Sequence, residues 1–143
     1  MDNSTFLLTW NPNKFHWMDY VTICKYCQGI GSILTDWSTC SKQIKPGDTF
    51  YLLMQGMKKQ NGIIGKGVFV SNSNEMLFVP TGGKGWYVEV RFDMLKDFRT
   101  DDYPSTEMLK FMFPLQCWTP MASGILVREE YTEQLNHLFD TFI

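Results

Sequence analysis

The segment from Gly85 to Leu95 alternates apolar and polar residues, and this alternation constrains the fold more than any other feature of the sequence. Its apolar positions are Trp86, Val88, Val90, Phe92 and Met94. The positions between them are Tyr87, Glu89, Arg91 and Asp93. Successive side chains of a strand point to opposite faces, so this period of two predicts a long strand with one buried and one solvated face. The rest of the chain must build a sheet that covers one side of it.

Several shorter segments also have the composition of strands. Apolar, aromatic and β-branched residues predict strands at 5–10, 33–38, 49–55, 63–71 and 125–127. The segment 49–55 is apolar on both faces, which is typical of a central strand. Lys45–Asp48, with the sequence Lys-Pro-Gly-Asp, is a strong turn signal. Gly65 and Gly67 predict a bulge or a sharp bend, as barrels need.

Three segments have helical features. Apolar residues recur at helical spacing between Trp17 and Cys27. Ser105 is a candidate N-cap for a short helix to Phe111, and a closing helix is predicted from about Arg128. Together with the strands, these helices predict an α+β fold in one domain, residues 1–143. We expect a mixed, strongly curved sheet of about five to six strands, flanked by two to three helices.

Length and composition are those of a globular domain. The chain has 143 residues, of which 44% are hydrophobic and 20% are charged, and it is long enough to bury a core without disulfides. No apolar run approaches the length of a membrane span, and the first residues lack the features of a signal peptide. We therefore expect a cytoplasmic protein with free thiols and no membrane partner.

Charge is distributed unevenly along the chain. The formal net charge is −2. Residues 42–84 carry six lysines against two acids, whereas residues 89–143 carry ten acids against five bases. The middle of the chain can therefore present a positive face to a partner. The alternative is an ordinary solvated surface, because a run of charge does not define folded geometry.

The sequence holds no complete catalytic or metal-binding motif. It has two histidines, His16 and His137, and no nucleophile elbow, Walker loop or H-E-x-x-H motif. Cys24 and Cys27 have the C-x2-C spacing of a zinc site, but no second pair accompanies them. We expect no catalytic residue, no metal and no cofactor. A cysteine–histidine pair that meets only in the fold is the enzymatic alternative.

The five tryptophans are the more informative set. Trp10, Trp37 and Trp118 lie at the edges of predicted elements beside small polar residues. This combination suits a pocket that stacks a planar base and hydrogen-bonds its edge. Trp86 lies on the apolar face of the alternating strand, which favours a place in the core. Plain packing in the core is the alternative for the other tryptophans as well.

Six segments, in their order and spacing, resemble the EVE-type domains of the PUA-like superfamily. They are 6–12, 37–38, 44–53, 62–67, 86–93 and 118–125. The similarity is greatest to the domains at the N-terminus of bacterial HNH nucleases. The YTH domains, which read N6-methyladenine in RNA, are a more distant similarity. The resemblance implies a small PUA-like β-barrel that recognises a modified base, flipped out of DNA or held in single-stranded nucleic acid.

The resemblance also implies a pocket. Carried onto this sequence, Trp37 would stack on the base and Ser38 would hydrogen-bond its edge through its side chain or its backbone. The pair is similar to the tryptophan followed by a serine that opens the aromatic cage of the YTH domains. Trp10 and Asn11 would line the same mouth.

Further residues of the implied site come from later in the chain. Trp118 and Ser123 would close the other side of the pocket or meet the nucleic-acid backbone, and Trp86 is a weaker candidate for the pocket. The candidate phosphate contacts are Lys58, Lys59 and Lys84.

The implied partner is DNA or RNA that carries a modified cytosine or adenine, and a nuclease is a further partner. The chain contains no nuclease motif, so we expect a non-catalytic reader that either stands alone or belongs to a longer protein. The acidic pI of about 5.6 argues against tight unaided binding to DNA. The alternatives are an RNA-binding module, a protein-interaction domain with a vestigial pocket, and an enzyme that acts on nucleotides.

Overall fold

The computed structural model describes residues 3–29, 33–76 and 85–142. The strands in these ranges are β1 Thr5–Trp10, β2 Ile33–Ser38, β3 Thr49–Met54, β4 Gly62–Phe69, β5 Asn74–Met76, β6 Gly85–Leu95 and β7 Ile125–Leu126. The helices are α1 Tyr20–Gly29, α2 Thr106–Met112 and α3 Thr132–Asp140. Two short 3-10 helices lie at Lys58–Gln60 and Glu129–Tyr131. None of the described helices is long and apolar enough to cross a membrane.

The strands form one mixed sheet, and the predicted α+β class is confirmed. Six strands follow the spatial order β2-β6-β4-β3-β1-β7, and β5 pairs with the beginning of β6. β1 and β3 are parallel, whereas the other pairs are antiparallel. The sequence did not predict β5. The closing helix begins at Thr132 and not at about Arg128, because the residues between them form a 3-10 turn.

Glycines bend the sheet where β4 meets its neighbours. The register between β4 and β6 shifts between Lys66 and Gly67, so the bulge predicted there is confirmed. A Cβ added at Gly67 would lie 2.0 Å from the carbonyl oxygen of Arg91 and 2.7 Å from the ring of Phe50. Because glycine has no Cβ, β6 and the Phe50 ring can both approach the β4 backbone closely.

The bend brings the two outer edges of the sheet toward each other. The N–H of Cys40, just after β2, donates to the carbonyl of Ser123, just before β7, at 2.6 Å. The Trp37 indole of β2 also donates to the carbonyl of Thr9 in β1, at 3.1 Å. Within the described ranges no strand ladder joins β2 to β7. The sheet is therefore not closed into the barrel that the sequence led us to expect.

Each face of the sheet buries its own apolar cluster. The inner cluster joins β1, β2, β3, β6 and α1, and includes Leu8, Trp10, Cys24, Trp37, Leu52 and Phe92. The outer cluster joins β1, β3, α2 and α3, and includes Leu7, Leu53, Leu109, Trp118, Leu135 and Phe139. β3 is buried on both faces, as its continuous apolar sequence predicts. Each large side chain buried in this way contributes about 1.5–3 kcal/mol.

Asp48 fixes the start of the central strands although it carries a charge in a fully buried position. Its carboxylate accepts the N–H groups of Ser4 and Lys45, at 2.9 and 3.1 Å, and lies 3.3 Å from the Lys45 ammonium. Its own backbone carbonyl accepts the N–H of Phe69 at the end of β4. The side chain of Asp48 thus connects the N-terminal segment to the Lys-Pro-Gly-Asp turn, and its backbone carbonyl connects that turn to β4.

The four cysteines divide into two environments. Cys24 and Cys27 of α1 are buried, and the thiol of Cys27 donates to the carbonyl of Phe92 at 3.5 Å. Cys40 and Cys117 are exposed. Burial raises the pKa of the Cys24 thiol to about 12 and that of Cys27 to about 11. The C-x2-C pair therefore packs as two small apolar side chains on the inner face of the helix.

We predict that Asp48→Ala lowers the free energy of unfolding by about 2–4 kcal/mol, because two backbone N–H groups lose a charged acceptor. Chemical denaturation measures the change. Asp102→Ala is the matched control, since that carboxylate is exposed, and should stay within about 0.5 kcal/mol of the wild type. Equal losses in the two variants would contradict the role given to Asp48.

We also predict that a disulfide reagent at pH 8 reacts quickly with Cys40 and Cys117 alone. The thiolate is the reactive form, and burial keeps Cys24 and Cys27 protonated. Counting released reagent should give two fast thiols in the folded protein and four in denaturant. A Cys40→Ser, Cys117→Ser double variant should show no fast phase. Its appearance there would contradict the assignment.

Candidate nucleic-acid interface

Three tryptophans pack together at one end of the inner cluster. The Trp17 ring lies between Trp10 and Trp37, with centroid distances of 5.3 and 4.6 Å and both contacts edge to face. It also contacts Tyr20 and Phe92. The three indoles expose 5, 8 and 6% of their surface in chain order, so they are built into the core. Two predicted pocket residues, Trp10 and Trp37, are therefore brought together.

Sequence reasoning placed Trp17 in a helical pattern and did not name it as a site residue. In the structure it is the centre of the aromatic cluster. The signal was present, because Trp17, Tyr20 and Cys24 are spaced so that they mark one face of a helix. That face is the one that α1 buries against the sheet.

Backbone carbonyls satisfy the indole N–H groups of the predicted pocket tryptophans. Trp10 donates to the carbonyl of Phe15 at 2.9 Å and Trp37 to that of Thr9 at 3.1 Å. Trp118 donates to the carbonyl of Phe113 at 3.0 Å. Each ring is therefore fixed in orientation as well as buried. Plain packing accounts for these rings in this structure.

Trp118 lies apart from the other two predicted pocket tryptophans. It belongs to the outer cluster, where its ring packs against Phe113 at 6.2 Å, and it exposes 2% of its surface. Trp10 and Trp37 belong to the inner cluster on the opposite face of the sheet. The three tryptophans do not converge on one concave site.

Ser123 and Trp37 both bind the backbone of Thr9. The Ser123 hydroxyl accepts the N–H of Thr9 at 3.0 Å, while the carbonyl of Thr9 accepts the Trp37 indole. Gly124 makes this approach possible, because its φ is +97° and an added Cβ would lie 2.0 Å from the hydroxyl of Thr39. Ser38, the other predicted hydroxyl, is exposed at the end of β2.

Asn11 organises the turn that follows β1. Its carbonyl accepts the N–H groups of Lys14 and Phe15, and its side-chain oxygen accepts that of Asn13 at 2.9 Å. Gly56, after β3, has a φ of +80° and lies so close that an added Cβ would be 2.3 Å from the Asn11 side chain. The segments that follow the parallel strands β1 and β3 therefore pack closely against each other beside the aromatic cluster.

Phe15 is the exposed one among the described aromatic rings that contact Trp37. Its ring meets the Trp37 ring edge to face at a centroid distance of 6.4 Å, and 46% of its surface is exposed. The residue lies in the segment between β1 and α1, outside any helix or strand. The neighbouring His16 is exposed.

Trp86 is half-buried at the rim of the sheet, so the prediction that it belongs to the core is wrong. Alternation along β6 does place it on the same face as Val88 and Val90, which are fully buried. The strand, however, extends beyond the inner cluster at its beginning. The Lys42 ammonium lies over the Trp86 ring, 4.9 Å from its centroid.

The predicted phosphate contacts lie in a turn. Lys58 and Lys59 are exposed between β3 and β4, and Lys58 has a left-handed φ of +55°. Met57, the residue before them, packs against the inner cluster, so the turn lies at its margin. Lys84 is outside the described residues.

The arginines are engaged with neighbouring carboxylates. Each lies in an ion pair with an acid two residues away: Arg91 with Asp93, Arg99 with Asp97, and Arg128 with Glu130. The Arg99 guanidinium holds the pKa of the Asp97 carboxyl below its usual range. Such exposed pairs stabilise the fold little, but they place a negative charge beside each guanidinium. Lysines are therefore the better candidates for phosphate contacts.

The potential metal ligands are dispersed within the described ranges. Within 3–29, 33–76 and 85–142, no three histidine, cysteine or acidic side chains come close enough to hold a metal. His16 and His137 are both exposed, on a loop and on α3.

Comparisons with known proteins show a shared fold. No family model matches the chain, and no curated protein matches it. The chain is similar to the NMR structure of Rpa0253 from Rhodopseudomonas palustris, a structural genomics target, with a TM-score of 0.57. The match covers 98% of this chain and 95% of that one at 12% sequence identity. At this identity the likeness concerns the fold alone.

Proposed function

We propose that this domain reads a modified base in nucleic acid and has the PUA-like architecture that its sequence resembles. The observation that carries the proposal is the junction at Thr9. Its carbonyl binds the Trp37 indole and its N–H binds the Ser123 hydroxyl, where the two sheet edges meet. An aromatic wall and hydroxyl groups therefore lie together at one end of the fold. Stacking combined with edge hydrogen bonds is how extruded and single-stranded bases are read.

A base can reach Trp37 only if another ring leaves. Trp10 and Trp17 form the buried back of the cluster, whereas the half-exposed Phe15 ring lies on the solvent side. Phe15 is therefore the ring that a base would displace. The side chain of Ser38 is exposed and points away from the Trp37 ring, because successive residues of β2 alternate, so Ser38 would bind the edge of that base through its backbone.

The electrostatics favour moderate, salt-sensitive binding. The net charge is −2, and the arginines are engaged in local ion pairs. Lys58 and Lys59 would supply the phosphate contacts without a cofactor. The domain would select the modified cytosine or adenine, and a separate nuclease would supply any cleavage.

A protein-interaction domain is the second candidate. Its support is that the tryptophans are well packed and that several large apolar side chains are exposed. These are Phe111, Leu115, Met121 and Leu126, with 88, 66, 105 and 59% exposure. Failure of the protein to bind any modified or plain oligonucleotide would favour this candidate. Preference for an RNA strand over the matched DNA strand would favour the RNA-binding alternative.

The proposal predicts that Trp37→Leu weakens binding to the preferred modified oligonucleotide by roughly 5- to 100-fold, as expected when an aromatic stack is lost. Trp118→Leu is the matched control, because that indole is equally buried but lies on the opposite face. Fluorescence polarisation with matched modified and plain strands measures the affinities. The proposal is contradicted if the wild type binds both strands equally, or if both variants lose affinity alike.

The proposal also predicts that Phe15→Ala tightens binding by roughly three- to tenfold, because removal of a competing ring raises the fraction of protein that can accept a base. Phe111→Ala, which removes an exposed phenylalanine elsewhere, should leave the affinity unchanged. Titration of the same modified strand tests both variants. Weaker binding by Phe15→Ala would show that the ring supports the ligand and does not block it.

A further inference from the structure

We infer that Trp86 and Lys42 form a second contact for single-stranded nucleic acid, where an unmodified base next to the recognised one stacks. The inference rests on the proposed function for the class of ligand. It assigns a separate site with a different task, because Trp86 makes no ring contact with Trp37 among the described residues. Trp37 would distinguish modified from plain bases, whereas Trp86 would add affinity for any base.

The first support is the burial of the tryptophans. Trp10, Trp17, Trp37 and Trp118 expose 8% of their surface or less and belong to one of the two apolar clusters. Trp86 is half-buried and belongs to neither cluster. Within the described ranges its ring packs against no other aromatic ring. Trp86 thus differs from the other four tryptophans in burial and in its place outside the two described clusters.

The second support is the group that lies over the ring. The Lys42 ammonium is 4.9 Å from the Trp86 centroid, which is the position of a cation bound by the ring face. A flexible lysine side chain can leave this face more easily than a packed residue can. When a base stacks on Trp86, the ammonium is free to move to the adjoining phosphate. Aromatic rings and cations are combined in this way in proteins that bind single strands.

The third support is the ordered loop that carries Lys42. The N–H of Ser41 donates to the hydroxyl of Thr39 at 3.1 Å, and the hydroxyl of Ser73 donates to the carbonyl of Ser41 at 2.7 Å. The N–H of Gln43 donates to the Ser41 hydroxyl at 3.2 Å. These bonds flank Lys42 on both sides, so its backbone is held while its side chain remains free to move.

The fourth support is the position of Trp86 relative to the proposed pocket. Trp37 of β2 is opposite Val88 of β6, and the N–H of Thr39 donates to the carbonyl of Trp86 at 2.9 Å. Because side chains alternate, Trp86 lies on the same sheet face as Val88, about 7 Å further along the strand. One strand of nucleic acid can therefore extend from the pocket across the Trp86 ring.

Nucleic acid fits these groups better than a peptide does. Each nucleotide offers both a flat ring for Trp86 and an anion for Lys42, whatever its sequence. An acidic peptide would use the ammonium and leave the indole without a role. A basic peptide would be repelled by Lys42.

The test measures binding of a plain single-stranded oligothymidylate, with the wild-type protein as the reference. Trp86→Leu should weaken binding roughly 5- to 100-fold, and Trp86→Phe, which keeps an aromatic face, should retain most of the affinity. Lys42→Gln should reduce the slope of log K against log salt by roughly 0.7, the value of one single-strand phosphate contact. Lys110→Gln, an exposed lysine on α2, is the control and should leave the slope unchanged.

The outcomes separate this inference from the proposed function. If Trp86→Leu weakens binding to plain and modified strands by the same factor, both stand. If Trp86→Leu and Trp86→Phe bind oligothymidylate as tightly as the wild type does while modified strands are still preferred, the second contact is overturned and the proposed function stands. If the wild type shows no preference for modified strands but Trp86→Leu binds oligothymidylate more weakly than the wild type does, the proposed function is overturned and the second contact at Trp86 stands. The second contact would also be overturned if the protein bound oligoglutamate more tightly than oligothymidylate and Trp86→Leu did not change that binding.

Discussion

The backbone of Thr9 is the point on which the architecture depends. Its N–H and carbonyl are bound from two sides, by Ser123 at the β7 edge and by Trp37 of β2. The Cys40–Ser123 hydrogen bond reinforces the same junction. These few bonds bring together the edges of a curved sheet that no strand ladder joins within the described ranges. The Trp37 indole belongs both to this junction and to the aromatic cluster, so the candidate site depends on the bend that the β4 glycines allow.

Local periodicity predicted the elements well. The alternation from Gly85 to Leu95 corresponds to β6, and the doubly apolar segment from Thr49 corresponds to the central β3. The glycines of β4 predicted its bulge. The three-residue β5, in a serine- and asparagine-containing segment, has too few residues for a period to be recognised. Its pairing depends on the neighbouring β6, which is tertiary information.

The tryptophans show where sequence reasoning ends. Trp86 was expected in the core because of its face, whereas Trp10, Trp37 and Trp118 were expected at a pocket because of their polar neighbours. In the structure Trp86 is half-buried, whereas the other three indoles expose 6% of their surface or less. Alternation determines which face a residue occupies, but how far the core extends along that face depends on which strands and helices lie beside it. Polar neighbours such as Ser38 are exposed while the adjacent ring is buried, because successive residues of a strand point in opposite directions.

The junction at Thr9 also sets an order for folding. Thr9 and Ser123 are 114 residues apart in the chain, and β1 pairs both with β3 and with the late strand β7. Contacts between such distant segments close large loops and form slowly. Until the segment around Ser123 docks, one edge of β1 is unpaired and the N–H of Thr9 lacks its hydroxyl acceptor. The candidate site is thus assembled by two segments that are 114 residues apart in the sequence, and it is complete only when both are in place.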